Sequence, residues 1–162
     1  MKHLTIIIFL FFGLSGLAQT ETLDVCDVKV DGFCFWVSKD SVVAKFGKPK
    51  KEYRPQYECG FLSEAEQGGK YYTIEYTHFY LTGNEKEDYV FDQITLGPGL
   101  SSEITVKGIK VSHNTTIADL EKILGVKSNQ FGIILYFKNA DDGISFSFDN
   151  GLLKKINYRS PC

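Results

Sequence analysis

The apolar positions change period along this chain, and each change marks an element. Residues 4–14 ("LTIIIFLFFGL") form an almost unbroken apolar run. Much later, Ile117, Leu120, Ile123 and Leu124 recur at the spacing of one helix face. Thr116 precedes them as a helix-capping type, and Gly125 follows as a C-terminal stop. An earlier stretch, "SKDSVVAKFGKP" (38–49), has the same plan. At an offset of 78, Gly47 falls on Gly125, Val42 on Leu120, Phe46 on Leu124 and Ser38 on Thr116. Pro49 then stops the first helix from continuing.

Elsewhere the period is two. Ile144, Phe146 and Phe148 alternate with Ser145 and Ser147. Within 71–81, read as one strand, Tyr72, Ile74, Tyr76 and Tyr80 alternate with Thr73, Glu75 and Thr77. Further strands are predicted at 89–96, 131–138 and 152–158, separated by the polar loop 82–88 and by turns at 139–143 and 149–151. The lead-ins "VKVDGFCF" (28–35) and "ITVKGIKV" (104–111) also match, around Gly32 and Gly108. The expectation is an α+β fold of two tandem repeats, 19–98 and 99–162, each a short helix packed on an antiparallel β meander. The two would join side by side in one concave sheet, with "GPGLSS" (97–102) as the boundary.

The opening run alters this picture only by being removed. A basic start (Lys2, His3), an apolar stretch too short to span a bilayer and the small residues Gly16 and Ala18 predict a signal peptide over 1–18. The remaining chain would be secreted or periplasmic, with no integral membrane segment. It carries 17 basic and 20 acidic residues once Lys2 is removed, a balance that gives no case for nucleic acid or an anionic membrane. Four cysteines (Cys26, Cys34, Cys59 and Cys162) are an even set for such a compartment and predict two disulfides, with three connectivities open.

Catalytic and metal chemistry finds little support. His78 shares a strand face with Tyr76 and Tyr80, and His113 precedes a helix start where Asn114 and Thr115 read as capping residues. There is no nucleophile elbow and no phosphate loop. Asp141, Asp142 and Asp149 flank two turns that could be neighbours and could offer oxygen ligands to a calcium ion, but such residues are also ordinary turn chemistry. No metal, cofactor or catalytic residue is assigned. The triplet "NTT" (114–116) matches a glycosylation acceptor.

A capped helix ending in "LG" or "FGKP", a loop, and a meander with "FDQITL" or "ISFSFDNG" followed by "LLKKINY" resembles the tandem repeat of β-lactamase inhibitor proteins. A single copy of that unit occurs in the small lipoprotein of the outer-membrane barrel-assembly machinery. The resemblance implies a sheet whose free face binds another protein. Inhibitors of this kind carry disulfides in the loop after each helix. Here only Cys59 lies in such a loop, and "VKSNQ" (126–130) is too short to hold one.

Taking Ile94 and Ile156 as core leaves Tyr71, Thr73, Glu75, Thr77, Phe79, Phe91, Gln93, Thr95, Ser145, Ser147, Lys155, Asn157 and Arg159 on the open face. Mixed aromatic, Arg and hydroxyl chemistry is the make-up of a protein-binding surface. The expected function is therefore non-enzymatic protein binding through that face, assisted by the loops 50–70 and 82–88. The alternatives are an envelope structural or assembly factor, and a small hydrolase using His78.

Overall fold

The computed structural model describes residues 22–55 and 69–160. The expected signal peptide, Cys59 and Cys162 lie outside them. The chain runs β1 (Thr22–Leu23), β2 (Val28–Val30), β3 (Trp36–Val37), α1 (Lys39–Phe46) and β4 (Lys51–Tyr53). After 56–68 come β5 (Tyr72–Glu75), β6 (Phe79–Asn84), β7 (Asp88–Thr95), β8 (Ile104–Val106) and β9 (Ile109–Val111). The last elements are α2 (Ile117–Leu124), β10 (Ile133–Phe137), β11 (Gly143–Asp149) and β12 (Leu152–Arg159). The fold is α+β, with two helices and a large, mostly antiparallel sheet among the described residues.

Both helices start and stop where their local chemistry dictates. Ser38 Oγ accepts from the Ser41 amide, and Thr116 forms a reciprocal capping box with Asp119. Gly125 adopts the left-handed conformation and donates its N–H to the Glu121 carbonyl. Thr115, expected to cap, instead accepts the Ser112 amide one turn earlier. The lead-ins also share a turn: Asp31–Gly32 and Lys107–Gly108 both have positive φ at two successive residues. That is the two-residue turn whose twist suits adjoining antiparallel strands. The lead-ins pair with each other, Val28 opposite Val106 and Val30 opposite Ile104, in a three-stranded sheet of β2, β8 and β9.

The main sheet has nine strands in the order β1-β10-β11-β12-β7-β6-β5-β4, with β3 paired to β7. Two meanders, β10–β12 and β5–β7, therefore meet through their last strands, where Ile156 lies opposite Ile94. A row of Ile133, Phe146, Ile156, Ile94 and Phe79 crosses the sheet by direct pairing, and all five are buried. Phe46 of α1 stacks edge-on against Phe79 at 4.9 Å, so this row faces that helix. Both halves of the chain contribute to one apolar cluster, including Val42, Leu120 and Leu124 of the helices.

Three expectations about faces need correction, and each has a local cause. Residues 71–81 are not one strand. The chain turns at 76–78, so Phe79 starts a new strand with its own alternation. Phe79 is consequently core, 6% exposed, while Tyr80 moves to the opposite face beside Glu75. His78 belongs to the turn, not to a strand face. In β7, Leu81 pairs with Phe91 and Tyr80 with Gln93, leaving Asp92 unopposed as a β-bulge. One extra residue inverts the alternation, so Phe91 and Ile94 are both fully buried despite their odd separation. A matching bulge at Lys154 in β12 lies between the pairs Ser147–Lys155 and Phe148–Leu153.

Cys26 and Cys34 form a disulfide that closes the turn between β2 and the chain leading to β3. It lies before the first helix, not in the loop after it.

Candidate functional site

The face opposite the core row carries a second, polar row, built by the same pairings. Ile134, Ser145, Asn157, Gln93, Tyr80, Glu75 and Lys51 lie opposite one another across seven strands. At about 4.8 Å per strand, the row spans roughly 29 Å. Ser147, Lys155 and Thr95 form a parallel row beside its centre.

Hydrogen bonds hold this centre in place. The Lys155 ammonium donates to Gln93 Oε1 at 3.3 Å, and Gln93 Nε2 donates to Thr95 Oγ1 at 3.2 Å. Asn157 Nδ2 donates to Ser147 Oγ at 3.4 Å. Toward β4, Thr82 donates its hydroxyl to Asp92 Oδ2 at 3.0 Å. The Thr73 hydroxyl lies 2.9 Å from that of Thr82 and, with the Thr82 proton already committed, acts as the donor. Side chains braced in this way lose less rotamer freedom when a partner arrives.

Tyrosines stand at both ends of the row. Tyr53, 45% exposed, lies on the outer strand β4 opposite Thr73. Burial raises the Tyr80 pKa, and Asp92, Tyr53 and Glu75 raise it further, so these groups form one cluster. At the other end Tyr136, 48% exposed, pairs with Gly143, which in turn pairs with Arg159. Tyr53, Tyr80 and Tyr136 were missed by sequence reading. Tyr80 was placed on the wrong face by the uninterrupted-strand reading, and nothing local marks Tyr136 or Tyr53 as neighbours of the row.

The expected binding residues divide cleanly. Glu75, Gln93, Lys155, Asn157 and Arg159 are brought together on the polar face, with Thr95, Ser145 and Ser147. Thr73 shares that face but is only 2% exposed. Tyr71 precedes β5 and donates its hydroxyl to Glu87, a bond that adds to burial in raising its pKa. Phe79 and Phe91 belong to the core and are not part of the surface.

Elsewhere, the acid groups at the turns do not converge. Asp142 precedes the start of β11 and Asp149 ends it, about 23 Å apart at strand rise. Asp142 accepts the Tyr158 hydroxyl at 2.7 Å. No group of three or more His, Cys, Asp or Glu residues suited to a metal occurs among the described residues. No helix among them is long and apolar enough to cross a membrane.

No family model matches the chain, and neither a curated protein nor a solved structure does.

Proposed function

We propose that this is a non-enzymatic protein-binding module of the secreted or periplasmic space that captures another protein on the polar face of its nine-stranded sheet. The observation that carries the reading is the row from Lys51 to Ile134, braced by cross-strand hydrogen bonds and ended by tyrosines and Arg159. Tyr and Arg are the residue types that dominate binding energy at protein interfaces. The length of the row suits an interface of ordinary size, about 800 Å² per partner. The Cys26–Cys34 disulfide is consistent with an oxidising compartment.

The tandem-repeat reading belongs to the same proposal, because it explains how so wide a face arose. Each unit supplies a two-residue positive-φ turn, a Ser- or Thr-capped helix and a three-stranded meander. Each last strand carries a bulge two residues before its central isoleucine: Asp92 before Ile94, Lys154 before Ile156. A shared bulge at an equivalent position supports duplication better than the helix motifs do, since bulges are costly to acquire twice.

The test is affinity capture from the producing cell's envelope and medium, with the wild-type chain and the Tyr80→Ala and Tyr136→Ala variants. A partner held by wild type and weakened about thirtyfold in either variant supports the surface, in line with a truncated hot spot. A partner held equally by all three would sink it. Recovery of a soluble enzyme supports an inhibitor-like role, whereas recovery of outer-membrane proteins favours the assembly-factor alternative.

A further inference from the structure

The core side of the sheet contains a second candidate site, away from the polar row. Between the start of α1 and the strands β4, β5 and β6 lies a cleft of about 550 Å³. Its walls include Lys39, Glu52, Lys70, Tyr72, Asn84 and Tyr89. Strand register explains the location. Glu52 pairs with the buried Ile74, and Tyr72 pairs with Gly83, which pairs with Tyr89. Glu52, Tyr72 and Tyr89 therefore face the helix side, beyond the N-terminal start of α1 at Lys39.

The polar inventory of the cleft is uneven. Tyr89 is 1% exposed, yet its hydroxyl has no hydrogen-bond partner among the described residues. It lines the cleft together with Lys39, Glu52, Glu85 and Tyr72. A buried polar group without a partner is costly, and natural structures retain few of them. Burial also raises the phenol's pKa, which keeps it protonated as a donor.

Lys39 uses one of its three hydrogens on Glu52 Oε1, at 2.6 Å. Asn84 Oδ1 is already taken by the amides of Lys86 and Glu87, at 2.8 and 3.0 Å. Glu52 Oε1 and Asn84 Oδ1 are thus engaged, whereas the Tyr89 hydroxyl and two of the Lys39 hydrogens have no partner among the described residues. Glu85 and Lys86 offset each other at the rim, and Lys70 adds a further positive charge.

We propose that this cleft binds a carboxylate-bearing small molecule or chain end, with the carboxylate accepting from the Tyr89 hydroxyl and the Lys39 ammonium. Lys70 supplies the surplus charge, and the ring of Tyr72 offers a face for the attached apolar or sugar stem. The volume suits a ligand of dipeptide or monosaccharide-acid size. Two sources share this chemistry: a peptide C-terminus and a uronic acid.

The test is calorimetric titration of the purified protein with N-acetyl-Phe-Ala, with the same dipeptide as its amide, with glucuronate and with glucose. The expected result is saturable binding of one free acid and none of its neutral counterpart. Tyr89→Phe should weaken binding tenfold or more, and Lys70→Gln by a smaller factor. The unliganded melting temperature of Tyr89→Phe should equal or exceed that of wild type, because a buried hydroxyl without a partner among the described residues is removed. Response to the dipeptide assigns a peptide terminus, and response to glucuronate a sugar acid. Failure of both acids to saturate, binding indifferent to Tyr89→Phe, or a lowered melting temperature in that variant would each overturn the assignment. Titrating the Tyr136→Ala variant keeps the two surfaces apart: acid binding should survive there even if protein capture is lost.

Discussion

Phe79, Phe91 and Gln93 show how much one residue's placement depends on the strand around it. All three read alike as members of a mixed aromatic–polar face, but two fill the core and only Gln93 reaches the polar face. Their substitutions should therefore separate in urea unfolding. Phe91→Ala and Phe79→Ala should each lower stability by about 3–5 kcal/mol, through lost transfer energy and a cavity. Gln93→Ala should change it by less than about 1 kcal/mol, because its hydrogen bonds are replaced by water on a half-buried surface. A Gln93 loss as large as that of Phe91 would refute this assignment of faces. The acid groups of α2 offer a pH counterpart. Glu121 accepts from the Ser128 amide, from Lys127 and from the Ser128 hydroxyl, which together hold its pKa down at about 2. A carboxylate depressed on folding contributes stability above its unfolded pKa, near 4.5, and loses it as pH falls toward the folded value. Thermal melts between pH 5 and pH 2 should consequently fall less steeply for Glu121→Gln than for wild type.

At the scale of elements, the helices are specified by their ends as much as by their apolar faces. Thr116 makes the full capping box with Asp119, so its loss should be felt in α2. Thr116→Ala should cost about 1 kcal/mol, measurable as a shift in the urea midpoint at unchanged slope. Thr115→Val should cost less, since Thr115 only supports the preceding turn through the Ser112 amide. These motifs were legible because capping and C-terminal glycine chemistry act within four residues. The strand assignments were legible for the same reason in β11 and β12, where alternation runs unbroken up to the bulge at Lys154. They failed in 71–81, where the aromatic content of "YYTIEYTHFYL" conceals a turn that contains neither Gly nor Pro.

At the scale of the whole molecule, the halves are bound together by three strand pairings: β12 with β7, β2 with β8 and β1 with β10. Neither half closes its own sheet. Fragments 19–98 and 99–162 should accordingly show no dispersed amide spectrum alone, and well-dispersed spectra from either would contradict this dependence. The Cys26–Cys34 bridge closes a short loop next to β2. By the chain-entropy argument, Cys26→Ala/Cys34→Ala should lose about 2–3 kcal/mol, read as a lower melting temperature that matches reduced wild type.

The sequence by itself determined the class, the two capped helices and the second meander with its turns, because each depends on spacings within a dozen residues. Its polar strand positions also marked five surface residues that do share a face: Glu75, Gln93, Lys155, Asn157 and Arg159. Only the tertiary structure decided which side each aromatic takes. A bulge such as Asp92 has no signature of its own, yet it inverts every position beyond it, and it exists because the partner strand fixes the pairing on both sides. Nor could spacing reveal the cleft at Tyr89. Its walls come from α1, β4, β5, β6 and β7, and they meet only because the sheet extends beyond the N-terminal start of a short helix.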